Sequence, residues 1–372
     1  MNKFAVLFCL ILSFCPGYSF SQTKKQAPAR QAPARKAQAF ILATQAQAQA
    51  DSGHAGKAVK LLQQAIKLDP STIDYPYELA YVYSANKDFT LAQSYLQPLM
   101  LRKDVTDLIY ELAGNCYENM HQPEKASDAY RAGLKKFPSS ARLCLECGLA
   151  ETSKKEYNRA LVYFEMGIQS DPAFASNYYW AAKLFCHSTE SVWGMIYGEL
   201  FINIERGSPR SAEISKLLFD TYKSQIKFRK DSMFTVHFSK EALLPVKDTA
   251  QSRAGKMLFG VGVYEPTLAI ATLNEVSITL ASLSHIRQNF VKEYYKNGLD
   301  KTFPNALFEF QKQVLDAGQM EAYTYWLLME GDRKEFTDWH YLNSAKWLEF
   351  GEWFKDHPLE LDKKRCFYRG QY

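Results

Sequence analysis

Residues 57–70 read KAVKLLQQAIKLDP, with apolar side chains at Ala58, Leu61, Leu62 and Ala65. That i, i+3, i+4, i+7 spacing predicts an amphipathic helix that ends at Asp69-Pro70. EKASDAYRAGLKKFP (124–138) and NRALVYFEMGIQSDP (158–172) repeat the pattern. Ala58, Ala92, Ala126 and Ala160 are each 34 residues apart, and Pro172 follows Pro138 by the same interval. Aligned on these alanines, the chain holds five units that start near Ala39, Ile73, Asp107, Ala141 and Ala175. Unit position 8 is always small (Ala46, Ala80, Gly114, Gly148, Ala182), and so is position 20, where Gly194 follows the four alanines. Position 24 is bulky in four units (Leu62, Leu96, Tyr130, Phe164) and is Gly198 in the fifth. Two helices per unit that cross closely at positions 8 and 20 would require this, because a larger substituent there would force the backbones apart. Pro76 and Pro98 fall inside the second unit's helices and are expected to bend them.

Beyond Pro209 the period is expected to stop. Ser211–Gln225 reads as a helix that could cap the repeats. Ile226 and Phe228, then Phe234, Val236 and Phe238, alternate around Lys230-Asp231-Ser232, which predicts a β-hairpin. Residues 239–266 read as irregular, and Thr267–Lys296 as one long helix. Shorter helices are expected at Pro304–Ala317, Met320–Met329, Arg333–Leu342 and Ser344–Lys355. Trp347, Phe350 and Phe354 share one helix face, so the many aromatic residues here read as core rather than as a ligand platform.

The 34-residue period, the small residues at positions 8 and 20 and the closing proline resemble the tetratricopeptide repeat (TPR) family over residues 38–207. The resemblance implies a right-handed α-solenoid whose groove holds a peptide or partner protein, with the five units stacked as one cooperative block. It also implies that positions 2, 5, 9 and 12 of each first helix face that groove. On this basis Tyr77, Tyr81, Glu111, Asn115, Arg142, Leu145, Leu149, Tyr179 and Lys183 are the candidate partner-binding residues. Some members clamp a C-terminal carboxylate with basic residues. Here Glu111 and Glu146 occupy two of those places, which argues against that mode.

Charge changes the picture at the N-terminus. The first acidic residue is Asp51, and six basic residues precede it, from Lys3 to Lys36. Of the net +5, the rest of the chain therefore carries five less six, or −1. A basic tail on a near-neutral body does not describe a nucleic-acid-binding domain. Residues 1–21 read as a signal peptide: Lys3, an apolar run over Phe4–Cys15 too short to span a bilayer, and Ser19-Phe20-Ser21 before the cut. Residues 22–37, with a repeated QAPAR, read as a flexible basic linker. The chain has no Asn-x-Ser/Thr sequon, and an exported, sequon-free protein fits a bacterial periplasm.

Little catalytic chemistry is visible. Cys144-x-x-Cys147 falls at core-facing helix positions and has no second metal-binding pair. No histidine pair, nucleophile elbow or phosphate loop occurs, so no cofactor, metal or catalytic residue is expected. The expectation is a non-enzymatic, mainly α interaction scaffold: signal peptide 1–21, linker 22–37, solenoid 38–207 and a helical C-terminal domain 208–372 with a small β-hairpin. The alternative is an enzymatic or glycan-handling C-terminal module, with Glu309, Asp316, Glu321 and Asp332 the carboxylates to inspect. Intact-mass measurement of the exported protein should place the mature start at Gln22, and a diacylated Cys15 would overturn that assignment.

Overall fold

The computed structural model describes residues 28–229, 234–240 and 258–372. The expected signal peptide, residues 1–21, and residues 22–27 of the expected linker lie outside them. The chain divides into two compact units, Met1–Asn86 and Lys87–Tyr372. The boundary falls at an exposed turn inside the second repeat, so the expected single block of five repeats is divided there.

The first unit contains α1 (Pro28–Asp51), α2 (Ala55–Leu68) and α3 (Asp74–Ala85), packed in sequence around Ala39, Ala65 and Tyr75. Residues 28–37, expected as tether, belong to α1. Ala, Gln, Arg and Lys are strong helix formers, and Pro33 interrupts only one hydrogen bond near the helix start. Pro76 sits in the first turn of α3, where its missing N–H would have had no intrahelical partner. After α2 the Asp-Pro turn is closed by Asp69, whose Oδ1 accepts from Ser71 N at 3.1 Å and whose Oδ2 accepts from Thr72 Oγ1 at 2.7 Å.

The second unit continues with α4 (Phe89–Met100), α5 (Asp107–Asn119), α6 (Pro123–Lys136), α7 (Ala141–Ser153), α8 (Tyr157–Ser170), α9 (Ala175–Cys186), α10 (Ser191–Ile204) and α11 (Pro209–Gln225). Each packs on the next, and α5, α7, α9 and α11 also pack on one another in order. The turn within each hairpin recurs in conformation as well as in spacing. Gly53, Lys87, His121 and Lys155 are successive 34-residue equivalents, and all have left-handed φ (76°, 66°, 57° and 63°). Only the first is glycine, so the packing holds three larger residues in a region they disfavour.

The small positions follow a size rule. A Cβ on Gly114 would lie 2.0 Å from Tyr130 Cε1, and one on Gly148 would lie 2.3 Å from Phe164 Cε1. Where position 24 is an aromatic ring, position 8 has given up its Cβ. The first repeat pairs Ala46 with the smaller Leu62, both buried.

Past α11 come the antiparallel strands β1 (Ile226–Phe228) and β2 (Phe234–Val236), with Ile226 opposite Val236. The remainder is α12 (Glu265–Thr272), α13 (Leu280–Lys296), α14 (Leu299–Thr302), α15 (Ala306–Asp316), α16 (Met320–Leu328), α17 (Arg333–Leu342) and α18 (Ser344–Asp356). The single helix expected over Thr267–Lys296 is therefore two. Thr279 starts α13 with a reciprocal cap, accepting from Ser282 N at 3.1 Å while Ser282 Oγ accepts from Thr279 N at 2.9 Å.

The expected border at residue 207 does not separate two cores. One apolar cluster runs from Ala160 on α8 to Phe367 near the C-terminus. The reason is α10. Its sequence, SVWGMIYGELFINI, is apolar on every side, and all but Ile204 are buried. A helix of that kind needs cover all round, and α11, α15 and the C-terminal segment supply it. Phe367 lies 6.1 Å from the Trp193 ring and 5.9 Å from Tyr197, and Arg369 ion-pairs with Glu165 on α8 at 3.0 Å. Inside this core Glu199 on α10 meets Arg287 on α13 in a two-pronged ion pair at 2.6 and 2.8 Å. Gln311 and Tyr323 each donate to Glu199 Oε1 at 2.8 Å, which completes the carboxylate's hydrogen bonds.

Gly114→Ala should destabilise the second unit by about 1–3 kcal/mol through overpacking. In a Tyr130→Leu background the same change should cost clearly less. Denaturant melts of the four variants test this, and equal costs in both backgrounds would disprove the size rule.

Candidate interaction surface

The repeat places the candidate residues on the first helix of each hairpin. In the first unit, α3 carries Tyr77, half-buried, and Tyr81, which is 51% exposed. In the second unit, α5 carries Glu111 and Asn115, and α7 carries Arg142, Leu145 and Leu149. Asn115 Oδ1 accepts from the Tyr130 hydroxyl at 2.6 Å, which ties the surface to the ring that fills Gly114's space. Leu145 and Leu149 are half-buried and pack against the main core, so they are less available than expected. Arg142 is exposed, and its guanidinium lies 5.5 Å from the centre of the Phe174 ring.

Three carboxylates converge here. Burial pushes Glu111 above the ordinary carboxylate range, with Arg142 drawing it back and Asp107 adding to the rise. Glu146 is raised to about 7, first by burial and then by the charges of Glu111 and Glu118. The same three carboxylates add to burial in raising the Tyr130 hydroxyl. The face over repeats three and four is therefore acidic, and Arg142 is the cation that Glu111 feels.

The fifth repeat corrects the expectation. Tyr179 is not an exposed anchor. Its ring is buried 5.3 Å from Phe201, under the Arg210 guanidinium at 5.1 Å, and its hydroxyl donates to Glu213 at 2.5 Å. Lys183 pairs with the same Glu213 at 2.7 Å. Both partners come from α11, which begins 34 residues after α9 and stacks on it as a further first helix. The period thus runs one helix beyond its expected end. The spacing of Pro209 from Ala175 was the signal for it.

Cys144 and Cys147 are buried, and burial raises their thiols to about 11 and about 12. Glu309 is exposed beside Arg365, and Asp316 pairs with Lys312 at 2.5 Å. Burial would raise Glu321, but hydrogen bonds from Lys346 and Trp339 hold it below the usual range. Asp332 caps α17. These four carboxylates are engaged separately. Among the described residues, no three His, Cys, Asp or Glu side chains converge to hold a metal ion, and no helix is long and apolar enough to cross a membrane.

Small-on-large packing at positions 8 and 24, the recurrent left-handed turn and the stacked first helices decide what the hairpins are. The repeat region has the tetratricopeptide fold. No protein-family model matches the chain, and no curated protein does. Among solved structures it is similar to PilF of Pseudomonas aeruginosa, at 19% identity over 51% of this chain and 86% of that one, with a TM-score of 0.45. It is also similar to TTC0263, a thermophilic TPR protein of Thermus thermophilus, at 14% identity over 48% of this chain and 98% of that one, TM-score 0.40. YrrB, a TPR protein with an unusual peptide-binding site, gives 15% identity over 49% and 94%, TM-score 0.36. The TPR assignment rests on the packing, not on these partial likenesses.

Glu146 gives the TPR surface a pH dependence. Its folded-state pKa of about 7 lies above the ordinary 4.5, so the folded chain holds this proton more tightly than the unfolded one. Its favourable contribution is complete below about pH 4.5 and is lost as the pH rises through about 7. Glu146→Gln should therefore melt progressively higher than the parent protein between pH 5 and pH 8. A melting difference independent of pH would show that Glu146 titrates normally.

Proposed function

We propose that this protein is a non-enzymatic scaffold of the bacterial cell envelope, exported by residues 1–21, whose TPRs bind a partner protein or peptide. The observation that carries the reading is the acidic face of repeats three and four. Glu111, Glu118 and Glu146 gather there, beside the exposed Arg142. Carboxylates that repel one another on a half-buried face are relieved by a cation, so the partner segment that meets this face is basic. Complementary charge of this kind speeds encounter and selects among partners.

A fluorescent lysine-rich peptide, titrated against the purified protein, tests the charge preference. The triple variant Glu111→Gln, Glu118→Gln, Glu146→Gln should bind at least about tenfold more weakly, a loss of about 1.4 kcal/mol. Parent binding should also weaken as salt is added. Unchanged affinity in the triple variant would remove the acidic face from the binding site.

A further inference from the structure

The wrap around α10 leaves a cleft of about 440 Å³ between the turn that joins α8 to α9, the end of α10 and the segment after α18. Its size is within the ~300–1,000 Å³ usual for small-molecule sites. Its walls are largely apolar: Ala173, Ile204, Pro358, Leu359 and Leu361. Asn203 also borders it but offers no donor, since its Nδ2 donates to the Glu199 carbonyl and to the Tyr323 hydroxyl, both at 2.8 Å.

Arg206 is the cation of this lining, and its guanidinium is fixed in place. The group lies 3.7 Å from the centre of the buried Phe354 ring. Its Nε donates to the Asn203 carbonyl at 3.2 Å and its Nη1 to the Phe354 carbonyl at 3.3 Å. Both carbonyls fall in the last turn of a helix, α10 and α18, where they lack intrahelical partners and favour a positive charge. The planar group is thus oriented before any ligand arrives. Its Nη2 makes no hydrogen bond among the described residues.

The charge of Arg206 is also unmatched. Arg210, Arg287 and Arg369 pack on the same core and ion-pair with Glu205, Glu199 and Glu165. Arg206 makes no ion pair among the described residues, and no carboxylate offsets the burial that lowers its pKa. Glu360 borders the cleft without forming one. A partly buried cation that lacks a counter-ion is stabilised by an anion that reaches it, and an oriented guanidinium fork suits a carboxylate. A single positive charge with Glu360 nearby favours a monoanion over a dianion.

The geometry points to a binding site for an apolar monocarboxylate, its carboxylate paired with Arg206 and its hydrocarbon body laid against Ile204, Leu359 and Leu361. A medium-chain fatty acid and the C-terminal residue of a peptide that ends in Leu share this chemistry. The site stands independently of the acidic face of the repeats.

Calorimetry of the full chain, comparing octanoate with octanamide and N-acetyl-Leu-Leu with its C-terminal amide, tests the assignment. At least one of the acids should bind saturably, and the tighter one identifies a free acid or a chain end as the source. Each amide should bind at least about tenfold more weakly than its acid, because the charge-assisted pair is lost. Arg206→Gln should weaken the acid as much. Because Arg206 also braces two helix ends, Leu361→Glu serves as a second variant: it leaves Arg206 in place, sets a negative charge in the cleft, and should also cost at least about tenfold in affinity. Saturable binding of neither acid, an amide that equals its acid, or full affinity in a folded Arg206→Gln or Leu361→Glu variant would each overturn the assignment.

Discussion

The burial of α10 governs the architecture of the second unit. The second helix of a TPR hairpin ordinarily keeps one polar face toward water, but here Trp193, Met195, Ile196, Tyr197, Leu200, Phe201 and Ile202 point in every direction and are all buried. Apolar burial at about 25 cal/mol per Å² is the dominant favourable term in folding. The residues after α11 therefore wrap around α10 instead of forming a domain of their own. The Glu199–Arg287 pair sits within that wrap and fixes how α13, α15 and α16 approach. Breaking such a pair would leave a bare buried charge, at roughly 3–5 kcal/mol. It therefore specifies which packing is allowed even if its net contribution to stability is small.

The wrap also decides which parts of the repeats remain available. The C-terminal segment lies on second helices: Phe367 stacks on Trp193, and Arg369 pairs with Glu165. On the first helices, α11 takes up Tyr179 and Lys183 through Glu213. The acidic face of α5 and α7 is not used in this way, and its carboxylates remain in mutual repulsion.

Much of the repeat was legible because it is local. Alanines 34 residues apart and the paired choice of Gly114 with Tyr130 and Gly148 with Phe164 report contacts within a single hairpin, which sequence spacing alone can register. The β-hairpin was legible for the same reason, since alternation over a few residues is a local signal. The break between α12 and α13 was missed although the cap at Thr279 and Ser282 is also local, because the apolar run across it obscured the stop. The helix at residues 28–37 was missed because two prolines and many charges suggest extension, while Ala-rich propensity and a neighbouring helix favour α1.

The sequence by itself determined the period, the hairpins and which positions must be small, because these follow from steric limits between residues close along the chain. Only the tertiary structure decided that Tyr179 is buried by Glu213 and Arg210, that one core runs through residue 207, and that Arg206 meets the end of α18 beside a cleft lined by residues 358–361. These contacts join segments separated by tens to hundreds of residues. No local pattern encodes them; they arise from the requirement that α10 bury all of its sides at once.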